Sequence, residues 1–212
     1  METGIKYRTG ITYEGVGLYG TILDFSNAGA VNGFEPDRAN GYLGVRTSNS
    51  FFKGFTLFGD REKDNGAANG GANLNGIVFD DTEQCGIENV EIRCFVDAIH
   101  MSIQTTGTYY HNFQGVSTVY NNRALFIGSG VAVVKCDDCK FVVRSDASNY
   151  GQYQVEVFDN ELIFVGGSLE GAGSPGNEIL SHVHATEGKV SINCRVEGAA
   201  VLTSANNGSL GS

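Results

Sequence analysis

The residues best suited to chemistry in this 212-residue chain are acids and imidazoles that recur at nearly equal spacing. Glu156 and His182 stand 26 residues apart, and Glu170 and Glu197 stand 27 apart. If each interval is one turn of a repeating structure, each pair becomes a pair of neighbours about 4.8 Å apart. Glycoside hydrolysis needs two carboxyl groups roughly 5 to 9.5 Å apart, one of them raised in pKa to act as an acid. Glu170 with Glu197 fits the lower end of that range, and Glu156 with His182 joins a carboxylate to an imidazole. These four are the candidate catalytic residues. His100, Phe126 and Phe158 fall on the Glu156 face, where an aromatic ring offers a platform for a sugar. Arg93 and Arg144 accompany the Glu170 face as counter-charges, and Tyr150 lies in a tyrosine-bearing loop at 145–153. These six are the candidate substrate-binding residues. The plainer alternative is a set of solvated, mutually compensated side chains.

Other clusters read as structural. Asp80, Asp81 and Glu83, and likewise Asp159 and Glu161, sit where strands give way to turns, where Asp commonly caps the backbone. Weak calcium binding or catalysis is the alternative there. Cys136-Asp137-Asp138-Cys139 suggests zinc, yet a structural site needs four ligands and only Cys194 aligns nearby. Buried thiols are the simpler reading, so no metal and no cofactor are expected. Asn207-Gly208-Ser209 fits a glycosylation acceptor, but no secretory signal accompanies it.

The elements that would hold these residues follow from a repeat. No window longer than ten residues carries the apolar spacing of a helix; short runs rich in Val, Ile and Phe alternate with Gly, Asn, Asp and Ser instead. Aligning Phe55, Val90, Val116, Phe141, Leu169 and Val196 gives steps of 35, 26, 25, 28 and 27 residues. The long first step contains a Gly/Asn-rich insertion at 59–75. A second set keeps similar time, at Ile77, Ile99, Leu125, Val155 and the 180–183 region. Leucine-rich repeats lack a match to this pattern, and propeller blades are longer. The expected fold is all-β, a right-handed single-stranded parallel β-helix of about seven coils over residues 1–205. A flexible tail is expected at 206–212. Each coil buries its apolar face only by stacking on the next.

Composition narrows the partners. A net charge of −10 argues against nucleic acid, whose phosphates need clustered Lys and Arg. No stretch reaches the roughly 18 to 20 apolar residues that span a bilayer, so no membrane insertion is expected. The start, Met1-Glu2-Thr3-Gly4, shows no signal peptide, and five cysteines suit reduced, buried thiols of a protein made in a cytoplasm.

Two stretches resemble the pectate-lyase-like β-helices of bacteriophage tailspikes and related depolymerases. One is Gly10-Ile11-Thr12-Tyr13-Glu14-Gly15-Val16-Gly17, continuing to Thr21-Ile22-Leu23-Asp24, which is similar to the opening motif of such helices. The other runs from Gly76-Ile77-Val78-Phe79-Asp80 through Cys85-Gly86-Ile87-Glu88-Asn89-Val90-Glu91-Ile92 to Ala98-Ile99-His100-Met101, similar to one of their coils. The resemblance implies a phage tailspike or tail-fibre protein in the virion that recognises bacterial capsule, O-antigen or another surface polysaccharide and cleaves it as a hydrolase or lyase. It also implies a homotrimer, and an opening motif so near Met1 implies a longer parent. The Asn-Thr-Asp and Gly-His-Gly signatures of polygalacturonases are missing, so no catalytic role transfers. A non-enzymatic adhesin or structural stalk is the alternative.

Overall fold

The computed structural model describes residues 4–26, 31–37, 46–59, 75–104, 106–121, 123–143, 153–158, 161–170, 181–186, 189–197, 202–205 and 209–211. Among them there is no helix, and every strand pairing is parallel. Strands pair with strands one repeat away rather than with their chain neighbours. Gly86–Glu88, Glu91–Arg93 and Asp97–Ser102 follow one another, and pair with His111–Gln114, Ser117–Asn121 and Arg123–Ile127 of the next turn. The result is a solenoid-like stack with three long ladders, beside a short two-stranded sheet of Thr47–Ser48 and Thr82–Glu83. The first is an eight-stranded sheet, from Ile5–Tyr7 to Leu202–Ala205. The second and third belong to a thirteen-stranded sheet and merge in the long strand Glu161–Glu170.

Alternation of side chains sets the core. Phe34, Ile77, Ile99, Leu125, Val155 and Val183 share one inward row of the first ladder and are all buried. Phe52, Ile87, Phe113, Cys136, Phe164 and Ile192 do the same in the second. Leu57, Ile92, Thr118, Phe141 and Leu169 form the inward row of the third. Each apolar residue therefore packs on its equivalent one turn away, which a 2-residue side-chain period and a turn-length repeat dictate together.

Corners explain the glycine and asparagine content. Between the second and third ladders the chain bends at Gly54, Asn89, Gly115, Asp138 and Gly166, all with φ between 50° and 69°. That left-handed geometry is open to Gly and mild for Asn and Asp, and costly for other side chains. Asp81, at φ 52°, caps another corner: its Oδ1 accepts the backbone N–H groups of Gln104 (3.1 Å), Thr106 (2.8 Å) and Gly107 (3.2 Å) of the next turn.

Two expectations shift. Lys140 pairs with Ser117 and Phe141 with Thr118, so Phe141 continues the row of Ile92, not that of Val90 and Val116. The step of 25 residues joined two inward rows that differ by two positions, and a two-residue slip keeps every side chain on its face and leaves no trace in the pattern. Ser209–Gly211, expected in a tail, pairs with Lys189–Ser191 as a strand. At the other end, the first turn leaves Ile5, Ile11, Val16, Leu18, Tyr19 and Ile22 exposed.

Candidate functional site

The outer face of the first ladder is where register gathers the most chemistry. Val78, His100, Phe126, Glu156 and His184 form one outward row. Beside it on one side run Asn75, Asp97 and Arg123, and on the other Asp80 and Ser102, with Phe158 and Thr186 in later turns.

A buried carboxylate anchors the face. The Asp97 side chain is 4% exposed. Arg123 grips it with two bonds, Nε to Oδ1 at 2.9 Å and Nη2 to Oδ2 at 2.8 Å. His100 Nδ1 lies 2.8 Å from the same Oδ2. Burial alone would raise the Asp97 carboxyl, but the hydrogen bonds from His100 and Arg123 and the Arg123 charge outweigh it and hold the group below its ordinary value. An ionised Asp97 can only accept, so His100 carries its proton on Nδ1 and turns Nε2 away from the acid.

Arg123 also ties in the next turn. Its Nη1 donates a short hydrogen bond to Glu156 Oε2, and its guanidinium sits 4.2 Å from the centre of the Phe126 ring. His100 stacks on that ring at 4.8 Å with a 25° tilt, and Phe158 meets it edge-on at 5.9 Å. Phe126 is thus largely enclosed by protein. It is a spacer between His100 and Glu156 rather than an open platform, and Phe158 is the aromatic at the margin. Ser102 Oγ donates to Asp80 Oδ1 at 2.6 Å, and His184 Nε2 lies 3.1 Å from Thr186 Oγ1.

Of the sequence-derived candidates, His100, Phe126, Glu156 and Phe158 therefore lie on one face. His182 does not share their row: Glu156 pairs with His184, and His182 falls between the Tyr153–Ser181 and Val155–Val183 pairs. Arg144 and Tyr150, with Asp159 and the 60–74 insertion, lie outside the described residues. Asp97 and Arg123 were missed by sequence reasoning, although the same register extended two residues before Ile99 and Leu125 finds both.

The second candidate group sits on the outside of the third ladder. Glu170 pairs directly with Glu197, and Arg93, not Glu91, shares their row. Each acid is neutralised locally. Lys140 Nζ lies 3.1 Å from Glu170 Oε2, Ser168 Oγ donates to Oε1 at 2.8 Å, and Arg195 bonds Glu197. Burial pushes the Glu170 carboxyl up, but Ser168 and Lys140 more than offset it and leave the group below its ordinary value. That is the opposite of what a general acid requires. Glu170→Gln is expected to change stability by less than about 1 kcal/mol, because its lysine partner is solvated, and to leave glycan binding unaltered; denaturant melts and a binding isotherm check both. Arg93 is engaged in structure: it bonds Glu91 Oε1 at 3.2 Å and lies against Phe58 and Tyr120 at 5.2 and 5.5 Å.

The thiols are free. Burial pushes Cys136 and Cys85 up, the latter to about 11, so neither is a ready thiolate. Among the described residues no three His, Cys, Asp or Glu side chains converge as metal ligands, and no helix is long and apolar enough to cross a membrane. No protein-family model matches the chain, and no curated protein matches it. Residues alone carry the functional reading.

Proposed function

We propose that this chain is a right-handed parallel β-helix of about seven coils from a phage tailspike or tail-fibre protein, and that it recognises bacterial surface polysaccharide. The observation that carries the recognition reading is the outer face of the first ladder, where imidazoles, carboxylates, hydroxyls and the Phe158 ring stand in register over several turns. At about 4.8 Å per turn, a row of four turns spans roughly 14 Å, enough for two or three sugar units. Polar groups fixed by the fold suit an extended, repetitive ligand, since binding then costs little side-chain ordering. The net charge of −10 and the acids of the face suit neutral sugars better than polyanions. The resemblance of the two stretches quoted above is what supports the phage assignment and, with it, a virion location. The apolar side chains exposed on the first turn support a neighbouring domain or subunit, in a homotrimer.

A second reading, a non-enzymatic adhesin or stalk, is favoured by one observation. The paired acids of the third ladder are spent on Lys140 and Arg195. Binding of the full chain to a panel of purified capsular and O-antigen polysaccharides separates a recognising protein, whether tailspike or adhesin, from a stalk. Recognition predicts retention on at least one polysaccharide, weakened about tenfold by Phe158→Ala, in line with the ~1 kcal/mol scale of an aromatic contact. A stalk predicts no retention on any.

A further inference from the structure

We propose that Cys136 and Cys139 form a redox-active dithiol that a small peroxide closes to a disulfide, tying the second ladder to the third across their corner. The site does not depend on the recognition reading and lies on the inner side of the stack, away from the outer face of the first ladder.

The fold brings the two thiols together. Val134–Asp137 belongs to the second ladder and Lys140–Val143 to the third, and the chain bends between them at Asp138, with φ 51°. Cys136 lies in the inward row of Phe113 and Phe164. Cys139 is the last residue of the corner before Lys140, and both cysteines are fully buried in the core. Their sulfurs are hydrogen-bonded to each other. Drawing them to a bond of about 2.05 Å therefore asks for side-chain rotation and no change of register.

The two sulfurs differ in readiness. The hydrogen bond from Cys136 holds the Cys139 thiol below its ordinary value despite burial, whereas burial pushes Cys136 well above it. Cys139 Sγ also lies 3.4 Å from the Phe113 carbonyl oxygen and 3.6 Å from that of Asp137. Its thiol thus has acceptors and its thiolate has a donor. Cys139 is the nucleophile and Cys136 the resolving thiol. Access favours a small oxidant. One turn on, Gly166 and Gly167 face this corner, and a Cβ on Gly167, at φ 64°, would collide with the Cys139 carbonyl oxygen. The half-buried Cys194 follows in the next turn, between Asn193, which pairs with Val165, and Arg195, which pairs with Ser168. Only backbone separates Cys139 from the level of Cys194, so a peroxide needs no more than a local opening there.

The step balances with hydrogen peroxide as the oxidant. The Cys139 thiolate attacks one peroxide oxygen, the O–O bond breaks, hydroxide leaves and Cys139 becomes a sulfenic acid. The proton that Cys139 gave up neutralises the hydroxide. The Cys136 sulfur then attacks the Cys139 sulfur, the S–O bond breaks, and the hydroxyl leaves as water with the Cys136 proton. Two thiols and one peroxide give one disulfide and two waters. In a reducing cytoplasm the pair stays open, and in an oxidising medium it closes.

The test treats the folded full chain with a small excess of hydrogen peroxide, alkylates the remaining thiols in denaturant and maps the peptides by mass spectrometry. Labelled thiols are expected to fall by two, from five to three, with one disulfide joining Cys136 to Cys139 and with Cys85 and Cys94 still labelled. Cys136→Ala is expected to leave a sulfenic acid on Cys139 that a cyclic 1,3-dione traps. Cys139→Ala is expected to slow the oxidation of Cys136 by about tenfold or more, the scale of one pH unit in a thiol pKa. The wild-type peptide map decides the matter where a variant does not fold. A disulfide to Cys194, oxidation of Cys194 with the pair intact, or thiol loss spread evenly over all five overturns the dithiol. Five labelled thiols after treatment, or a Cys139→Ala variant oxidised at Cys136 as fast as wild type, overturns it as well.

Discussion

Replacing Arg123 with methionine is expected to lower folding stability by about 3 kcal/mol at neutral pH, the scale for a buried ion pair that loses one partner. Methionine keeps the length and apolar stem that lie on Phe126, so the loss reports charge rather than a cavity. What remains is Asp97, 4% exposed, with His100 as its remaining side-chain partner among the described residues, and a Glu156 side chain that is 14% exposed and without the Arg123 cation. In the wild type the Asp97 carboxyl is held below its ordinary value, so it contributes stability above the unfolded pKa and loses it as pH falls through the folded one. Without Arg123 the burial contribution dominates and the carboxyl rises. The variant then prefers a protonated Asp97, and its deficit is largest at neutral pH and narrows below about pH 4, the ordinary Asp range. Urea melts at pH 7 and pH 3.5 measure the difference. A deficit that stays constant with pH would show that Arg123 acts through packing alone.

Acid should also act on the core through His111. This side chain is 2% exposed and packs edge-on against Phe79 at 5.0 Å. Its Nδ1–H donates to the Tyr109 carbonyl at 2.9 Å, and Nε2 accepts from Thr82 Oγ1 at 2.7 Å. Both bonds suit the neutral ring, and burial brings its pKa down from 6.5 to about 4. Because the folded value is depressed, the unfolded chain takes up a proton first as pH falls. The stability present above pH 6.5 is lost progressively toward pH 4, and the loss reaches roughly 3 kcal/mol at about 1.4 kcal/mol per pH unit. His111→Gln is expected to lose its Phe79 contact at every pH but to be flatter between those limits. Guanidinium melts of both proteins at half-unit pH steps provide the comparison. Parallel curves for the two would contradict the assignment.

The sequence made the parallel stack legible because its two signals are periodic: alternation along a strand and return of the same residue classes after one turn. Ile77, Ile99, Leu125 and Val155 align in the structure as their spacing predicts, and with them the row His100, Phe126 and Glu156. Slips of two residues escaped notice for a physical reason. Moving Phe141 from the row of Thr118 to that of Val116 exchanges one inward position for another, so no apolar pattern protests, and the slip that put His182 in the register place of His184 is likewise one of two residues. Charge pairing was less legible still. Asp97 looks like any turn acid until Arg123 and His100 are seen to converge on it, and Glu170 looks like a catalytic acid until Ser168 and Lys140 are seen to spend it.

The same residues supply a consistent picture from chain to surface. Left-handed corners at Gly54, Asn89 and Gly115 let the strands stack in register, and register stacks the outward side chains into rows. Arg123 then locks two acids and one aromatic ring of different turns into one plate. A surface built that way is ordered before any ligand arrives.

The most direct measurement of the central claim is amide hydrogen exchange of the full chain with and without a saturating oligosaccharide cut from a polysaccharide it retains. Recognition by the first-ladder face predicts slowed exchange in 97–102, 123–127 and 153–158, with the third-ladder strands 91–93, 117–121 and 140–143 unchanged. Protection confined to the third ladder, or spread evenly over both, would contradict it.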